Sequence, residues 1–588
     1  MRIATGLAVP IVLGSCFEGS SYTTATQGPA VYTIGGTVQG LNSGASLGLR
    51  VDGQFPVTVS GNVAFTFPGT FSNGAPYAVT VDVQPAGQKC WPQGGSGTVA
   101  GANVSSVLVA CTSAPSWTFV SGSQPPSANG VNGTYPATAG TAGANTAPGS
   151  RVDAATWKDS SGNVWMFGGH GNDSTPGGTT QGELSDLWEY VTVVDPVLGT
   201  TSASWTWMGG SKIAGVRGTY PTAVGKSSAS TVPGGRDSAA TWIDSAGNLW
   251  LFGGYGYDSV GNPGSLNDVW EYTPATSTAK ASWTWVAGSS LAGAAGIYPS
   301  GGVGTTAASA TPGARYGAVT WVDSSGTFCM FGGHGIDGSG ATGYLNDLWK
   351  LTPGAACPAP NTDPTVICNW TWVAGSSSAN ASANYPTLGA SSSTAVPGGR
   401  FYANAWSDTN GNLWLWGGTT NFGTTNFSDL WLLTPGAACP SPNASQICNW
   451  TWVSGSSSAN DPGTYGTLGT GATTNSPPAR TYASSWADGA GRIWLFGGWN
   501  GTELNDVWEY TPNTTPSMPG TWTWVSGNNG AGPGTSTYGT PGVAGGTPSG
   551  RDSMSAWTDL YGNVWIFGGY DNSEINVLNE MWTFVPGP

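Results

Sequence analysis

Groups able to do acid, base or metal chemistry are scarce in this chain of 588 residues, which has two histidines, 31 acidic residues and 16 basic ones. Both histidines stand in the same context, FGGHG, at His170 and His334, and each is followed three residues later by an aspartate, Asp173 and Asp337. Asp258 follows GGYGY at a matching offset. An acid and a base pointing into one cavity would suit proton transfer on a sugar. A repeated aspartate behind a double glycine suits turn capping just as well. Two histidines rule out a histidine-rich metal cluster, and no metal or other cofactor is expected. Cys329 stands in GTFCMFGG where sister segments carry Trp, so it reads as a buried core residue and not as a nucleophile.

The arginines need a different reading. Six of the ten, Arg151, Arg236, Arg315, Arg400, Arg480 and Arg551, recur at spacings of 85, 79, 85, 80 and 71, each with Trp six residues on. A matched acid recurs with them: Asp186, Asp268, Asp347, Asp429, Asp506 and Glu580. Gathered on one axis, six arginines would make an anion site. Paired one to one with six acids they make structural ion pairs, which the high cost of a lone buried charge favours. With a net charge of −15 and no basic run, a nucleic-acid partner is excluded.

The elements that hold these residues repeat as well. After each arginine and Trp comes a turn such as DSAGN, then an apolar run ending in Gly-Gly (NVWMFGG, NLWLFGG, RIWLFGG). A run such as LNDVW follows, and then WTWV. Each run is short, aromatic or β-branched and bounded by Gly, Asp or Asn, so each reads as a strand. In NLWLFGG both faces are apolar, so the sheet must pack against two neighbours. The last copy ends at MWTFVPGP without a fourth strand, while an extra WTFV at Trp117 precedes the first arginine, so the N-terminal strand is expected to close the last unit.

Arginine, an aromatic strand ending in Gly-Gly, LNDVWEY and WTWV together resemble the Kelch repeat, the unit of the galactose oxidase central domain. The resemblance implies an all-β fold over residues 114–588: a six-bladed β-propeller of four-stranded Kelch-type blades, the last one closed by the N-terminal strand. Galactose oxidase needs two His, two Tyr and a Tyr linked to Cys for copper, a set this chain does not supply. Between WTWV and each next arginine lie about thirty residues of Gly, Ser, Ala and Thr, long for a loop. Each such segment carries one tyrosine, Tyr135, Tyr220, Tyr298, Tyr385, Tyr465 or Tyr538, expected to pin it to its blade.

Upstream, residues 29–113 alternate apolar and polar positions with regular turn signals and resemble a small Ig-like β-sandwich. Residues 17–28 read as a linker. Residues 1–16, MRIATGLAVPIVLGSC, have the form of a secretory signal, and LGSC resembles a bacterial lipobox with Cys16 as the lipidated residue. Spacing pairs Cys90 with Cys111, Cys357 with Cys368 and Cys439 with Cys448 as disulfides of an oxidising compartment.

In Kelch propellers the loop after Gly-Gly emerges at the mouth of the central channel. Carried over, that face presents His170, Tyr255, Tyr257, His334, Phe422, Trp499, Asn500 and Tyr570, where the copies disagree. The expected protein is secreted and lipid-anchored at the bacterial outer membrane or cell surface, touching the membrane only through Cys16. It would bind a surface protein or glycan without catalysis. The alternatives are a carbohydrate-active enzyme of epimerase or mutarotase type in the channel, or a structural subunit of an extracellular homo-assembly.

Overall fold

The computed structural model describes residues 31–586 apart from 352–369, 435–449 and shorter internal stretches. Cys16 and the proposed pairs Cys357–Cys368 and Cys439–Cys448 lie outside the described residues. Within them the chain is all β, without a helix, and its architecture is propeller-like.

Two four-stranded sheets come first, with strands Ile34–Gln39 and Val104–Thr112 running parallel in one and Leu47–Val51 and Pro76–Val83 antiparallel in the other. Alternation sends Ile34, Val38, Leu47, Leu49, Val107 and Val109 into one shared core. Cys90 and Cys111 face each other across paired strands and form a disulfide.

Six larger sheets follow, with smaller two- and three-stranded ones beside them. Sheet I comprises Ala155–Lys158, Val164–Phe167, Leu187–Val194 and Thr201–Gly209, hydrogen-bonded in that order and antiparallel throughout. Sheets II to V repeat the pattern from Ala240–Ile243, Val319–Val322, Asn404–Ser407 and Ser484–Ala487. Sheet VI holds Ser555–Thr558, Val564–Phe567 and Met581–Val585, and its fourth strand is Ser116–Ser121, paired antiparallel with Met581–Val585 with one bulge after Phe119. The first strands of successive sheets lie side by side from I to VI, and that of VI lies beside that of I.

The core sits between sheets. In sheet I, Val164 and Met166 pack with Trp557, Phe567 and Met581 of sheet VI. Trp165 and Phe167, one step out of phase, pack with Leu249, Leu251 and Trp270 of sheet II. Both faces of every blade-like sheet are thereby removed from water, each large apolar side chain contributing about 1.5–3 kcal/mol.

At the end where the sheets meet, each arginine lies buried in a polar cluster. Arg151 donates to Asp186 Oδ1 and Oδ2 at 2.9 and 2.8 Å, and to the Gly168 carbonyl at 2.9 Å. The Tyr135 hydroxyl and the Trp188 indole donate to the same carboxylate. Arg236–Asp268, Arg315–Asp347, Arg400–Asp429 and Arg480–Asp506 repeat this two-pronged arrangement, with Tyr220, Tyr298, Tyr385 and Tyr465 donating at 2.6 to 2.8 Å. Arg551 reaches Glu580 through Nη2 alone, at 2.7 Å, while its Nη1 has no hydrogen-bond partner among the described residues. Tyr538 donates to Glu580. The tyrosines of the long segments are therefore tied to the blade charges, and each pair is fully buried.

The double glycines make room for this. A Cβ on Gly168 would sit 2.4 Å from the Arg236 carbonyl oxygen of the next repeat, and Gly168 has φ +68°. Only glycine lets adjacent sheets approach that closely.

Candidate functional site at the ring axis

The arginine clusters fix what stands immediately after them. The second residue past each arginine, Asp153, Ser238, Gly317, Tyr402, Tyr482 and Ser553, has φ between +49° and +62°. Five of the six are not glycine, and the left-handed conformation costs each of those about 1–2 kcal/mol. Backbone hydrogen bonds between repeats hold them there. Asp153 N donates to Ser553 O at 3.0 Å, Ser238 N to Asp153 O at 2.9 Å, Gly317 N to Ser238 O at 3.0 Å, Tyr402 N to Gly317 O at 2.9 Å and Ser553 N to Tyr482 O at 3.1 Å. Strained residues held in a ring where all repeats meet are what a preorganised site requires.

A cavity of about 410 Å³ opens there, walled by Asp153, Tyr402, Phe422, Tyr482, Trp499, Glu503, Asp552, Ser553 and Tyr570. Asp153 retains some accessible surface in the cavity although protein surrounds it on every side. Burial, reinforced by Asp237 and Asp552, holds its carboxyl well above the usual carboxylate range, against the Ser553 hydrogen bond that opposes the shift. Burial also pushes Asp237 up to about 6, opposed by the Ser238 hydroxyl, which donates to its Oδ1 at 2.7 Å. The Tyr402 and Ser238 hydroxyls are hydrogen-bonded to each other, and the Tyr402 and Tyr482 rings lie 4.2 Å apart. The arrangement offers stacking faces, hydroxyl donors and carboxyl groups around one small space.

Beside the cavity each sheet brings three positions together: the residue after Gly-Gly, its partner on the third strand, and the residue after the next repeat's arginine. In sheet I these are His170, Glu183 and Asp237, whose potential ligand atoms all lie within 4.8 Å of one another. One nitrogen and two carboxylate donors could take a divalent cation of the zinc or manganese type. His170 Nδ1 stands 3.4 Å from Glu183 Oε1, and this hydrogen bond holds the imidazole above its ordinary value. In sheet III the same positions are His334, Tyr344 and Phe401, all aromatic, with ring centroids 5.2 and 5.8 Å from the imidazole. Burial there pushes His334 down.

Of the residues expected at the mouth, Phe422, Trp499 and Tyr570 line the cavity. His334 packs against Phe422, with centroids 5.2 Å apart, and so sits on the rim, while Tyr255 packs against Tyr316 at 5.7 Å. His170 belongs to the neighbouring acid cluster. Tyr257 is directed elsewhere, toward Gly215, and Asn500 is an exposed turn residue outside the cavity wall. Asp258 and Asp337 cap turns: Asp337 Oδ1 accepts from Ser339 N and Ala341 N, and its Oδ2 from Ala379 N. Cys329 is fully buried, and burial pushes its thiol up to about 12.

Sequence reasoning missed Asp153, Asp237, Tyr402, Tyr482, Glu503 and Asp552. A signal existed: the two residues after the constant arginine read VD, DS, YG, FY, TY and DS in the six copies.

No protein-family model matches the chain, and no curated protein does. Among solved structures it is similar to one described as the structure of YjhT, with 14% identity and a TM-score of 0.40 over 74% of this chain and 95% of that one. A fungal alcohol oxidase of the AA5 family in complex with copper gives 12% identity and a TM-score of 0.37 over 74% of each chain. A protein of unknown function from Dyadobacter fermentans gives 8% identity and a TM-score of 0.37, covering 80% of this chain and 98% of that one.

Proposed function

We propose that this protein is a sugar-binding propeller of six Kelch-type blades, closed by its own N-terminal strand and carried behind a small β-sandwich. The module boundaries are residues 29–113 and 114–588, with residues 1–16 a signal peptide ending in the lipidated Cys16 and 17–28 a tether. On this reading it works outside the cytoplasm at a bacterial surface, and its partner is a glycan. Six consecutive four-stranded sheets whose first strands adjoin in a cycle support the blade count. Two sheets enclosing one core support the sandwich.

The observation that carries the function is the cavity on the ring axis. Its volume suits one or two sugar units. Tyr402, Tyr482 and Trp499 offer ring faces for the C–H side of a pyranose, and Asp153, Asp552 and Glu503 offer acceptors for its hydroxyls. A protein partner would want a broader, flatter anchor surface. A glycan array with the purified mature chain, followed by calorimetry, tests the proposal. Binding should disappear in Trp499→Ala and Tyr482→Ala variants that keep the wild-type melting temperature. Full binding by both variants would refute the cavity as the site.

One observation favours a second reading, catalysis on the bound sugar. Asp237, with its carboxyl raised to about 6, and Asp153, with its carboxyl held well above the usual carboxylate range, would serve as base and acid from neighbouring repeats. Proton NMR of free sugars with the protein present would show accelerated anomer exchange or epimerisation if this holds.

A further inference from the structure

Two aromatic rings near the axis are out of place for a protein core. Among the described residues Tyr255 and Phe422 are the only exposed aromatic side chains, at 38% and 59%. Both stand on the segment that follows a double glycine, in sheets II and IV. Phe422 is also held against its backbone preference. It and Asn421 have φ of +49° and +55°, a left-handed form in which Gly or Asn is the usual choice and a bulky residue is rare. Neither burial nor turn geometry selects phenylalanine there, and its free ring face is suited to contact with a ligand.

Other rings join the two. Tyr255 packs edge to face on Tyr316 at 5.7 Å, Tyr316 on His334 at 5.2 Å, and His334 on Phe422 at 5.2 Å. Each step is comparable to the repeat of an extended pyranose chain. Phe422 belongs at the same time to the wall of the axial cavity, so the track continues the cavity outward across sheet III to sheet II. Its side chains carry hydroxyls and an imidazole but no formal charge, since burial pushes His334 below its ordinary value. A row of uncharged, partly polar rings leading out of a cavity suits a chain of neutral sugars, with C–H faces on the rings and hydroxyls in water. Two exposed rings are too small an area for a protein partner.

We infer that the axial cavity is the end of a longer site, and that its ligand is a chain of neutral sugars whose terminal units enter the cavity while later units run over Phe422, His334 and Tyr316 to Tyr255. This rests on the sugar-binding reading above and goes beyond it in assigning the length of the ligand and the residues outside the cavity that hold it.

The test is calorimetry on the full mature chain with dimers and hexamers of four neutral backbones: β-1,4-linked glucose, N-acetylglucosamine and mannose, and α-1,4-linked glucose. In any series that binds, the hexamer is expected to bind at least twentyfold more tightly than the dimer, more than the added registers of a longer chain supply. Tyr255→Ala should remove most of that advantage and leave the dimer's affinity unchanged, because Tyr255 lies outside the cavity wall. Met518→Ala, a comparably exposed residue on the hairpin at the opposite end of sheet V, should change neither. The length comparison uses the unmodified protein, so it holds even if a variant fails to fold. Equal affinity of dimer and hexamer overturns the track and leaves sugar binding in the cavity standing. A hexamer advantage that survives Tyr255→Ala also overturns it, as does an array on which other glycans bind while all these oligomers stay silent. Silence from every glycan on both assays overturns the sugar-binding reading itself. A self-associated form that Tyr255→Ala dissolves in sedimentation, with oligomer length making no difference to binding, would assign the rings to a second copy of the chain and defeat the proposal.

Discussion

The arginine clusters and the axial ring lie within two residues of each other, and they treat charge in opposite ways. In the clusters each cation meets one acid, and a tyrosine and a tryptophan fill the carboxylate's remaining acceptor sites. On the axis burial, with Asp237 and Asp552 nearby, raises the affinity of Asp153 for a proton, and no arginine is among its causes. The clusters repeat six times with the same chemistry, whereas the ring residues vary among Asp, Ser, Gly and Tyr. Repetition with balance is what holding sheets together requires. Variation with imbalance is what a ligand can exploit, and it is tolerable only because the balanced clusters lock the backbone beneath it.

The strongest way to break this contrast is to unbalance a cluster. Arg400→Ala leaves Asp429 buried with its countercharge gone, and should cost about 3–5 kcal/mol, read as a large fall in melting temperature. Tyr402→Phe, two residues further on, removes one hydroxyl from a bond with Ser238 and should cost about 1 kcal/mol. Equal losses in the two variants would show that the ring bears as much of the fold as the clusters do.

Unburdening the axis should do the reverse. Burial raises the Asp237 carboxyl from 3.8 to about 6, so the folded state holds that proton more tightly than the unfolded chain does. Below pH 4 both states are protonated and the site costs nothing. As pH rises through 4 to 6 the unfolded chain ionises first and stability falls, and above 6 the whole penalty is present. Asp237→Asn has no such penalty. Its melting temperature should exceed wild type at pH 8, by a stability gain on the order of 1–3 kcal/mol, and the gain should vanish near pH 3.5. A gain of the same size at both pH values would mean that ionisation of the buried Asp237 carboxyl is not its source.

Much of the scaffold could be read from the sequence because its partners repeat together. Arg480 and Asp506 belong to an arginine–acid couple that recurs in every copy, and the structure brings the two within hydrogen-bonding distance. The stray WTFV at Trp117 matched the missing fourth strand, and Ser116–Ser121 pairs with Met581–Val585. The site was harder to read because its address depends on backbone geometry. Asp153 and Tyr482 look like the start of an ordinary strand, and only the left-handed turn at those positions sends them into the ring. Glu183 and Glu503 follow loops of different length, which hides their equivalence. Tyr257 was misplaced because it follows Tyr255 by two residues, about 7 Å further along the strand, and at that distance it has left the rim.

The clusters are not perfectly uniform, and the exception offers a gentler test. Glu580 occupies the place held elsewhere by Asp, and Arg551 loses its second prong. The backbone there matches its sisters, since Gly568 N donates to Glu580 O at 3.0 Å as Gly168 N does to Asp186 O at 3.1 Å. Glu580→Asp should therefore restore the two-pronged pair and raise stability by about 1 kcal/mol, measured by denaturant titration. A loss would mean that the sheet closed by the N-terminal strand is spaced for the longer side chain.

The finest distinction is between the two histidines, which occupy equivalent positions after a double glycine and differ only in company. His170 faces Glu183, whose carboxylate hydrogen-bonds the imidazole and stabilises its protonated form. His334 is packed among Tyr316, Tyr344, Phe401 and Phe422, and this burial disfavours its charged form. With only two histidines in the chain, their imidazole proton signals can be followed directly by NMR and assigned with His170→Gln. His170 should titrate above 6.5 and His334 below it. Glu183→Gln should bring His170 down toward 6.5 and leave His334 unmoved, with no large change in stability because the pair is partly exposed. If His334 followed His170 in that variant, the two rim clusters would be coupled through the ring, and the charge imbalance would belong to the whole axis and not to the side nearest sheet I.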